Sequence, residues 1–238
     1  MTGIRVTGLR KSFGAKCVLD GVDLAVESGE AFALLGPSGS GKTTLLRIVA
    51  GLEAADEGTV RVGEDGSGNA DPGRDVGLVM QRPAVFHRSV FDNVAFGLRL
   101  RGVSPEKVER QVSAALEQVG LAEARDAKAW TLSAGEAQRM CFARAAVLEP
   151  RVFLLDEFTA NLDPSNVALL EAAVRAYHEA VGATVLIVTH NPFQAKRVAH
   201  RAGLLLDGRL VEVADVPTFF EHPDDERTRA FVRGEMPY

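Results

Sequence analysis

The sequence is poor in cysteine, has no long apolar run and has no excess of basic residues. Its 238 residues include two cysteines, Cys17 and Cys141, whose separation fits no metal-ligand spacing. We therefore expect both to be buried thiols in a reducing compartment. No stretch approaches the roughly 20 apolar residues of a membrane span, and the N-terminus lacks the apolar segment of a signal peptide. These absences predict a cytosolic chain that reaches a membrane only through a partner.

The charge balance is slightly acidic. The chain has 27 basic residues against 32 acidic ones, for a net charge of −5. This balance argues against a nucleic-acid partner, which would favour clustered Lys and Arg. Hydrophobic residues make up 46% and charged residues 25% of the chain, as in an ordinary globular protein. A chain of this length and composition has enough apolar residues to bury a sizeable core.

One glycine-rich stretch carries the strongest chemical signal. Gly36–Thr44 reads GPSGSGKTT and matches G-x-x-x-x-G-K-[ST], the phosphate-binding loop. The apolar run Ala31–Leu35 before it predicts a buried strand, and Thr44–Gly51 after it predicts a helix. In that context backbone N–H groups and the positive helix end face phosphate oxygens. Lys42 then reaches the β- and γ-phosphates and the Thr43 hydroxyl ligates Mg²⁺. The alternative, an ordinary Gly/Ser turn, lacks support from these flanks.

Apolar periodicity predicts an α/β fold around this loop. Alternating residues predict antiparallel strands at Ile4–Leu9 and Val18–Val26, with Val60–Val62 in the same sheet. Short apolar runs predict further strands at Val76–Met80, Val152–Leu155 and Thr184–Val188. Helices are predicted at Ser89–Arg101, Pro105–Val119 and Ala134–Leu148, and from Asp163–Pro164 and Asn191–Pro192. Strands that alternate with helices in this way predict a mainly parallel sheet covered on both faces.

Turn signals and the middle of the chain complete this prediction. Glu64–Arg74 is rich in Gly, Asp, Asn and Pro, which predicts a surface loop. Asp207–Gly208 predicts a type I′ hairpin turn. Residues from about 82 to 131 have no strand pattern, so we expect a helical subdomain inserted between sheet-forming residues 1–81 and 132–238. The whole chain, 1–238, is expected to be a single domain.

A second group of polar residues lies at predicted strand ends. The strand that begins at Val152 ends in Asp156 and Glu157, which would face the crevice where ligands bind in open α/β sheets. Asp156 suits Mg²⁺, and Glu157 suits a general base that activates water. A strand that merely ends in surface carboxylates is the alternative, and the phosphate loop argues against it. His190 also follows a strand and is either a γ-phosphate ligand or a capping residue. Gln81 either completes a Mg²⁺ shell or only initiates a loop.

The stretch Leu132–Glu136 (LSAGE) supports two interpretations. Ser133 followed three residues later by Glu136 is a capping box at the start of a helix. Alternatively, Ser133, the Gly135 N–H and the positive helix end form a second phosphate-binding surface. The two interpretations are compatible, because one helix end can be capped in one state and bind an anion in another.

Together these residues resemble the ATP-binding cassette, the ATPase subunit of ABC transporters. The resemblance covers essentially the whole chain with all motifs in the family's order. They are the phosphate loop Gly36–Thr44, the Q-loop residue Gln81, the signature Leu132–Glu136, the Walker B strand Val152–Asp156 followed by Glu157, the D-loop Ala160–Asp163 and the switch histidine His190. It implies a P-loop NTPase fold of the ABC ATPase type, with a mainly parallel sheet core, an antiparallel β subdomain and a helical subdomain.

The resemblance also implies ATP and Mg²⁺ as cofactors and a role for each site residue. Catalysis is expected from Glu157, His190 and Lys42, and metal binding from Thr43, Gln81 and Asp156. The nucleotide-binding residues are expected to be Phe13, Gly36, Pro37, Ser38, Gly39, Ser40, Gly41, Lys42, Thr43, Thr44 and Gln81, with Phe13 stacking on adenine. Two cassettes are expected to pair head to tail, so that the partner's nucleotide is met by Ser133, Ala134, Gly135, Glu136 and Asp163. ATP then closes the dimer and hydrolysis reopens it.

Three residues depart from the family pattern. Ala134 and Glu136 stand where the signature usually has Gly and Gln, and Phe158 stands where Pro usually follows the acidic pair. The Ala134 methyl crowds the approach to phosphate, and Glu136 brings negative charge near the partner's nucleotide. These departures are compatible with slower hydrolysis. The acidic pair, Lys42 and His190 are intact, so we predict an active ATPase.

The segment Ser89–Gly102 resembles importer ATPases where they dock coupling helices of membrane subunits. Val85, Phe86 and Val90 are either the exposed apolar part of that groove or subdomain core. A homodimer on polytopic permease subunits is thus expected at the cytoplasmic face of the membrane, served indirectly by a solute-binding protein and without nucleic acid. Importers that carry an extra regulatory β-domain are longer than this chain.

The transported solute is the least determined feature. Thr159–Leu169 and Phe231–Tyr238 resemble ATPases of tungstate-type oxyanion importers. The alternatives are an importer ATPase for another small solute, such as an amino acid or phosphate, and a non-transport or non-hydrolysing nucleotide-sensing cassette. A small-molecule P-loop kinase is a further rival, which would lack the signature.

Overall fold

A computed structural model describes residues 2–64 and 72–236. The strands are β1 Thr2–Phe13, β2 Lys16–Val26, β3 Ala31–Leu35, β4 Glu57–Glu64, β5 Val76–Val79, β6 Val152–Asp156, β7 Thr184–Thr189, β8 Arg201–Leu206 and β9 Arg209–Asp215. The helices are α1 Lys42–Val49, α2 Pro72–Asp75, α3 Val90–Leu100, α4 Pro105–Gln118, α5 Ala134–Ala146, α6 Pro164–Val181, α7 Pro192–Val198, α8 Val216–Glu221 and α9 Glu226–Val232. Short 3₁₀ turns lie at Ala122–Ala124 and Ala129–Thr131.

One sheet is antiparallel and has the strand order β2-β1-β4. Ile4 of β1 lies opposite Val26 of β2 and Val62 of β4, and all three side chains are buried. The predicted antiparallel sheet is confirmed, although β1 and β2 extend beyond the predicted bounds and meet in a hairpin at Phe13 and Lys16. The buried residues of this sheet pack with α1 and with residues of the second sheet.

The second sheet has the order β5-β6-β7-β3-β8-β9. Its strand pairs are parallel except β8 with β9. Every residue of β3, β6 and β7 is buried, because a parallel strand covered on both faces needs apolar residues at successive positions. Leu35 lies opposite Thr189, and Asp156 lies opposite Val188. The carboxyl ends of these strands therefore meet at one edge of the sheet.

Helix caps explain where most predicted helices begin. Ser89, Asp163 and Asn191 each cap a helix through a side-chain oxygen that accepts backbone N–H groups, which satisfies donors that a helix end would otherwise leave free. Helix α1 begins at Lys42, two residues before the predicted start at Thr44. The phosphate loop therefore leads directly into the helix.

The stretch predicted as a loop at Glu64–Arg74 differs in part from the prediction. Residues 65–71 lie outside the described residues. Glu64 is the last residue of β4, and Pro72–Asp75 form the short helix α2. Proline has a backbone angle that suits the first turn of a helix, so the residue that suggested a loop begins a helix here.

The predicted burial of the two thiols is correct for Cys141 and wrong for Cys17. Cys141 lies within α5, among the core residues. Cys17 is near the start of β2, where Lys16 is exposed as well. It is exposed because it lies next to the turn between β1 and β2, where residues 12–17 are all exposed.

Residues 82–131 contain α3 and α4, which share one apolar core with α5 and α6. The three candidate groove residues, Val85, Phe86 and Val90, differ in their burial. Val90 is fully buried, and Val85 packs against the core. Phe86 is exposed. In the part of the chain that the structure describes, no helix is both long enough and apolar enough to span a membrane.

The hairpin turn at Asp207–Gly208 holds the two sheets to the phosphate loop. Both residues have positive φ, 46° and 76°, as a type I′ turn requires. The Gly208 N–H donates to the Ser40 carbonyl at 3.2 Å, and the Gly208 carbonyl accepts from the Asp20 N–H at 2.9 Å. A side chain at position 208 would meet the Val18 carbonyl at 2.6 Å, so this close approach requires glycine.

Candidate nucleotide site

The phosphate loop lies at the carboxyl end of β3 and borders a cleft of about 400 Å³. Ser38, Gly39, Gly41 and Thr44 are among the residues that line it. Gly41 is the N-cap of α1 and has a φ of 107°, and no side chain caps this helix end. The uncapped N–H groups and the positive end of the helix dipole therefore face the loop, where an anion would be favoured.

Lys42 is held at the base of the loop. Its Nζ donates to the carbonyls of Gly36 and Pro37 at 2.8 and 2.9 Å, and its side chain is buried. Burial lowers the pKa of Lys42, while the nearby carboxylates of Glu157 and Asp156 oppose that shift. The ammonium group thus bonds only to carbonyl oxygens here, which a more strongly charged phosphate oxygen would displace.

Thr43 and Asp156 converge across the cleft floor. The Thr43 hydroxyl donates to Asp156 Oδ1 at 3.0 Å, although the residues are 113 positions apart in the chain. Burial raises the pKa of Asp156, the Thr43 hydrogen bond lowers it, and the neighbouring Glu157 raises it further. Burial of a carboxylate is costly unless it is paired and hydrogen-bonded.

Gln81 and His190 both lie next to Glu157. Gln81 Nε2 donates to Glu157 Oε2 at 3.1 Å, and His190 Nδ1 lies 3.2 Å from Glu157 Oε1. Glu157 has a φ of 41°, a conformation that costs a non-glycine residue of order 1–3 kcal/mol. Its backbone N–H donates to the Val188 carbonyl at 2.8 Å, which helps to hold the turn. The three polar residues predicted at strand ends are therefore brought together.

The LSAGE segment forms the predicted capping box. The Ser133 hydroxyl accepts from the Glu136 N–H at 3.3 Å, and Glu136 Oε2 accepts from the Ser133 N–H at 2.9 Å. The Ser133 hydroxyl also donates to Glu136 Oε2 at 2.7 Å, and these hydrogen bonds lower the pKa of Glu136. The Glu136 N–H, one of the free donors of the first turn, is therefore satisfied within the chain.

The capping box is linked to the D-loop. Gly135 packs directly against the Asn166 side chain, which leaves no space for a larger residue. Asn166 in turn donates to Asp163, the N-cap of α6, and these hydrogen bonds lower the pKa of Asp163. The described residues that line the phosphate-loop cleft do not include Ser133, Ala134, Gly135, Glu136 or Asp163.

Residues of β2 also line the cleft, and the sequence did not indicate them. Lys16 and Val18 face it, because the hairpin that joins β1 to β2 lies over the loop. Phe13, the predicted adenine-stacking residue, is exposed in the same hairpin with Lys11 Nζ 5.0 Å from its ring centre. Phe13 is not one of the described residues that line the cleft.

The strand, loop and helix, with a carboxylate pair at the end of β6 in the same sheet, define a P-loop nucleotide-binding protein of the α/β class. A sequence profile described as ABC transporter matches residues 19–160. The chain belongs to the ABC transporter family.

Individual relatives and a solved structure agree with this assignment. The chain is 40% identical to the phosphate import ATP-binding protein PstB 2 of Natronomonas pharaonis, over 99% of this chain and 88% of that one. It is 39% identical to the tungstate uptake system ATP-binding protein TupC of Peptoclostridium acidaminophilum, over 88% and 97%. A solved dimeric ATP-binding cassette in a post-hydrolysis state with ADP and Pi has a TM-score of 0.81 and 26% identity, covering 90% of this chain and 98% of that one. The predicted ABC ATPase fold is confirmed.

Proposed function

We propose that this protein is the ATP-hydrolysing subunit of an ABC importer. The observation that carries the proposal is the placement of Glu157 within hydrogen-bonding reach of Gln81 and 3.2 Å from His190, beside the phosphate loop. Phosphoryl transfer to water depends mainly on positioning and charge stabilisation. This edge of the sheet offers donors for phosphate oxygens and a carboxylate for the attacking water.

Each residue at the cleft has a role in this proposal. The loop N–H groups and Lys42 hold the β- and γ-phosphates, since Lys42 exchanges its carbonyl partners for phosphate oxygens. Glu157 accepts a proton from water, and His190 holds that water and Glu157 in line with the γ-phosphate. Lys16 and Val18 contact the nucleotide from β2, and Phe13 stacks on adenine once the hairpin closes on the bound base.

The residues around Asp156 fit Mg²⁺. Thr43 Oγ1 and Asp156 Oδ1 lie 3.0 Å apart, and both are oxygen donors of the kind that this cation prefers. The raised pKa of the buried Asp156 carboxylate indicates a charge that the protein itself balances incompletely. Bound Mg²⁺ would neutralise phosphate charge, with Thr43 and Asp156 as ligands and Gln81 reaching the shell after release from Glu157.

The capping-box segment supports a dimer with shared nucleotide sites. Ser133–Glu136 and Asp163 lie outside the cleft of their own chain, so we place them against the nucleotide of a second copy. In that arrangement Ser133 and the Gly135 N–H contact the partner's γ-phosphate after Glu136 releases the Ser133 hydroxyl. The relative solved as a dimer of cassettes supports the head-to-tail pairing.

The partner subunits follow from the relatives that act in import. We place the dimer on polytopic permease subunits at the cytoplasmic face of the membrane, with a solute-binding protein on the other side. Residues 82–131 form the proposed helical subdomain that contacts the permease, and the exposed Phe86 belongs to that contact surface. For the solute we propose tungstate or a related oxyanion, because PstB 2 imports phosphate and TupC belongs to a tungstate uptake system.

The variant Glu157→Gln tests the catalytic assignment. It removes the proton acceptor and keeps the shape, so ATP hydrolysis should fall by at least about 100-fold while a dimer accumulates with ATP bound. Phosphate release and size-exclusion chromatography with magnesium ATP measure both effects. Glu179→Gln, on α6, is a matched control that should hydrolyse ATP like wild type. Turnover at the wild-type rate in Glu157→Gln would refute the assignment, and absence of turnover in the wild type would favour a nucleotide-sensing cassette.

A further inference from the structure

A polar cluster with a buried carboxylate and a buried amide lies behind the catalytic edge and joins the turn after Glu157 to two helices. It consists of Thr159, Glu171 of α6, and Gln194 and Arg197 of α7, and we call it the polar clamp. Gln194 Nε2 donates to Thr159 Oγ1 at 2.6 Å and to Glu171 Oε1 at 3.5 Å. Arg197 donates to both oxygens of Glu171 at 2.7 Å.

Glu171 and Arg197 fix the spacing of α6 and α7. Glu171 is 3% exposed, and a carboxylate at that depth is stable only if it is paired and hydrogen-bonded. Arg197 supplies a bidentate pair, whose two parallel hydrogen bonds define distance and orientation together. The two helices therefore hold one relative position as long as this pair is intact.

Gln194 extends this restraint to the turn that follows Glu157. Its side chain is buried and its amide lies between a carboxylate and a hydroxyl. Only the NH₂ group can face Glu171, because an amide oxygen there would be repelled by the carboxylate. The orientation of Gln194 is thereby determined, and Thr159 must accept. Gln194 Oε1 has no hydrogen-bond partner among the described residues, so this orientation is kept at a cost.

The two ends of the polar clamp lie next to the two catalytic side chains. Thr159 is two residues after Glu157, in the turn where Glu157 O accepts from the Ala160 N–H at 2.9 Å. Gln194 lies in the first turn of α7, and its N–H donates to Asn191, the helix cap that directly follows His190. A hydrogen bond from Gln194 to Thr159 therefore joins the turn that carries Glu157 to the helix that follows His190.

We infer that Gln194, together with Glu171, Arg197 and Thr159, positions Glu157 and His190 relative to each other for hydrolysis. These four are positioning residues that do not touch the nucleotide. The inference rests on the proposed roles of Glu157 and His190. It predicts that loosening the polar clamp slows the chemical step and leaves ATP binding unchanged, because the phosphate loop lies on β3 and α1.

Two substitutions test the link between the ends. Gln194→Met keeps the volume and removes both hydrogen bonds, and Thr159→Val removes the acceptor with almost no change in shape. Each should lower kcat by about 10- to 100-fold, the range expected for misplaced reacting groups. The ATP Kd and the KM should stay within about twofold of wild type. Single-turnover phosphate release on the full chain, with tryptophan or labelled-nucleotide titration for Kd, gives both values.

A double-mutant cycle separates positioning from a general loss of stability. If Gln194 acts through the pair of His190 and Glu157, Gln194→Met should have little further effect in a His190→Ala background. Coupled residues show this non-additivity, whereas independent sites multiply their effects. A purely structural role for Gln194 would lower activity by the same factor in both backgrounds.

Another buried ion pair provides a matched control. Glu30 is 8% exposed and lies 3.4 Å from Arg201, at the start of β3 and far from the carboxyl ends of the strands. Glu30→Gln and Glu171→Gln both remove a buried carboxylate beside an arginine, and both should lower the melting temperature. Only Glu171→Gln should lower kcat.

The results that test this inference differ from the results that test the proposed function. The inference is supported by lower kcat with unchanged Kd in Gln194→Met and Thr159→Val, together with non-additivity. It is overturned if Thr159→Val and Gln194→Met fold and turn over like wild type, if the cycle is fully multiplicative, or if Glu30→Gln slows kcat as much as Glu171→Gln. A failure of the proposed function would appear separately, as unimpaired hydrolysis in Glu157→Gln.

Discussion

The N-termini of α1 and α5 can be compared directly, because each is a predicted phosphate site. Helix α1 begins after Gly41 and has no side-chain cap. Helix α5 begins after Ser133, and its cap is the reciprocal box with Glu136. A helix end needs partners for its free N–H groups. The first end leaves them for a ligand, whereas the second satisfies the Glu136 N–H within the chain.

This difference indicates which half of a nucleotide site is preformed. The phosphate loop presents its donors in the isolated chain, with Lys42 held on carbonyls that phosphate can replace. In the proposed dimer the Ser133 hydroxyl would leave the Glu136 carboxylate for an external anion, so this end would bind only when a partner brings one. A pair of cassettes would thus bind nucleotide first at the loop and then at the capping box.

The largest expected effect is that of adding a methyl group at the uncapped N-terminus of α1. In Gly41→Ala the new Cβ would meet the Val18 carbonyl at 2.7 Å, and φ there is 107°. The backbone must move, and we expect ATP affinity to fall by at least about 100-fold, since strain of this kind costs of order 1–3 kcal/mol before any clash. Isothermal titration with ATP measures it.

Gly182→Ala is the control for that substitution. Gly182 also has a positive φ, of 65°, but a Cβ there meets no atom within 4 Å. We expect a loss of about 1 kcal/mol in unfolding free energy with ATP affinity unchanged. Equal losses of affinity in the two variants would show that the approach of Val18 to the loop is unimportant.

The next largest effect comes from removing the side-chain cap at the N-terminus of α5. Ser133→Ala removes a cap, which costs about 1 kcal/mol of stability and lowers the melting temperature by about 2–4 °C in a chain of this size. Glu136→Gln keeps the hydrogen-bonding shape and removes the charge, so it should cost less at neutral pH.

The pH dependence of the capping box has a defined sign. Because the folded-state pKa of Glu136 is lowered from 4.5, its stabilisation is present above that value and is lost as the pH falls through the lowered pKa. The gap in melting temperature between wild type and Glu136→Gln should therefore shrink as the pH falls below 4.5. A gap that widens on acidification would contradict the reciprocal box.

The smallest expected effect concerns the stability that the buried Asp156 carboxylate costs the nucleotide-free protein. Asp156→Asn removes a buried carboxylate whose pKa is raised, so we expect the nucleotide-free protein to melt about 1–2 °C higher at pH 7. A raised folded-state pKa means that stability is lost as the pH rises through that pKa. The advantage of Asp156→Asn should therefore be larger at pH 7 than at pH 4. A lower melting temperature at both pH values would mean that Asp156 stabilises the nucleotide-free fold.

Local motifs were predictable from the sequence, and contacts between distant residues were not. The phosphate loop and the acidic pair are each set by a few consecutive residues, so strand, loop and strand end could be assigned. The ion pair of Glu171 with Arg197 spans 26 positions, and the bond from Gln194 to Thr159 spans 35. A glutamate or glutamine in a predicted helix does not indicate which distant residue it contacts. A buried carboxylate and an exposed one are the same residue type in the sequence.

Similar causes explain what the sequence left open or missed. Val90 was left open between a groove and the core, because it lies at the start of a helix whose periodicity is the same in both cases, and it is buried. Lys16 and Val18 were missed at the cleft because the position of β2 depends on how the two sheets pack. Cys17 was wrongly predicted to be buried because its residue type does not reveal that it lies next to an exposed hairpin turn.

The turn at Asp207–Gly208 has a practical consequence for protein engineering. A short polar hairpin is where an epitope tag or a fluorescent reporter would normally be inserted. Here that turn bonds Ser40 on one side and Asp20 on the other, so a graft at this point would loosen the support beneath the phosphate loop. A labelled version of the protein should therefore carry its probe elsewhere, for example after Gly182, where an added Cβ meets no atom within 4 Å.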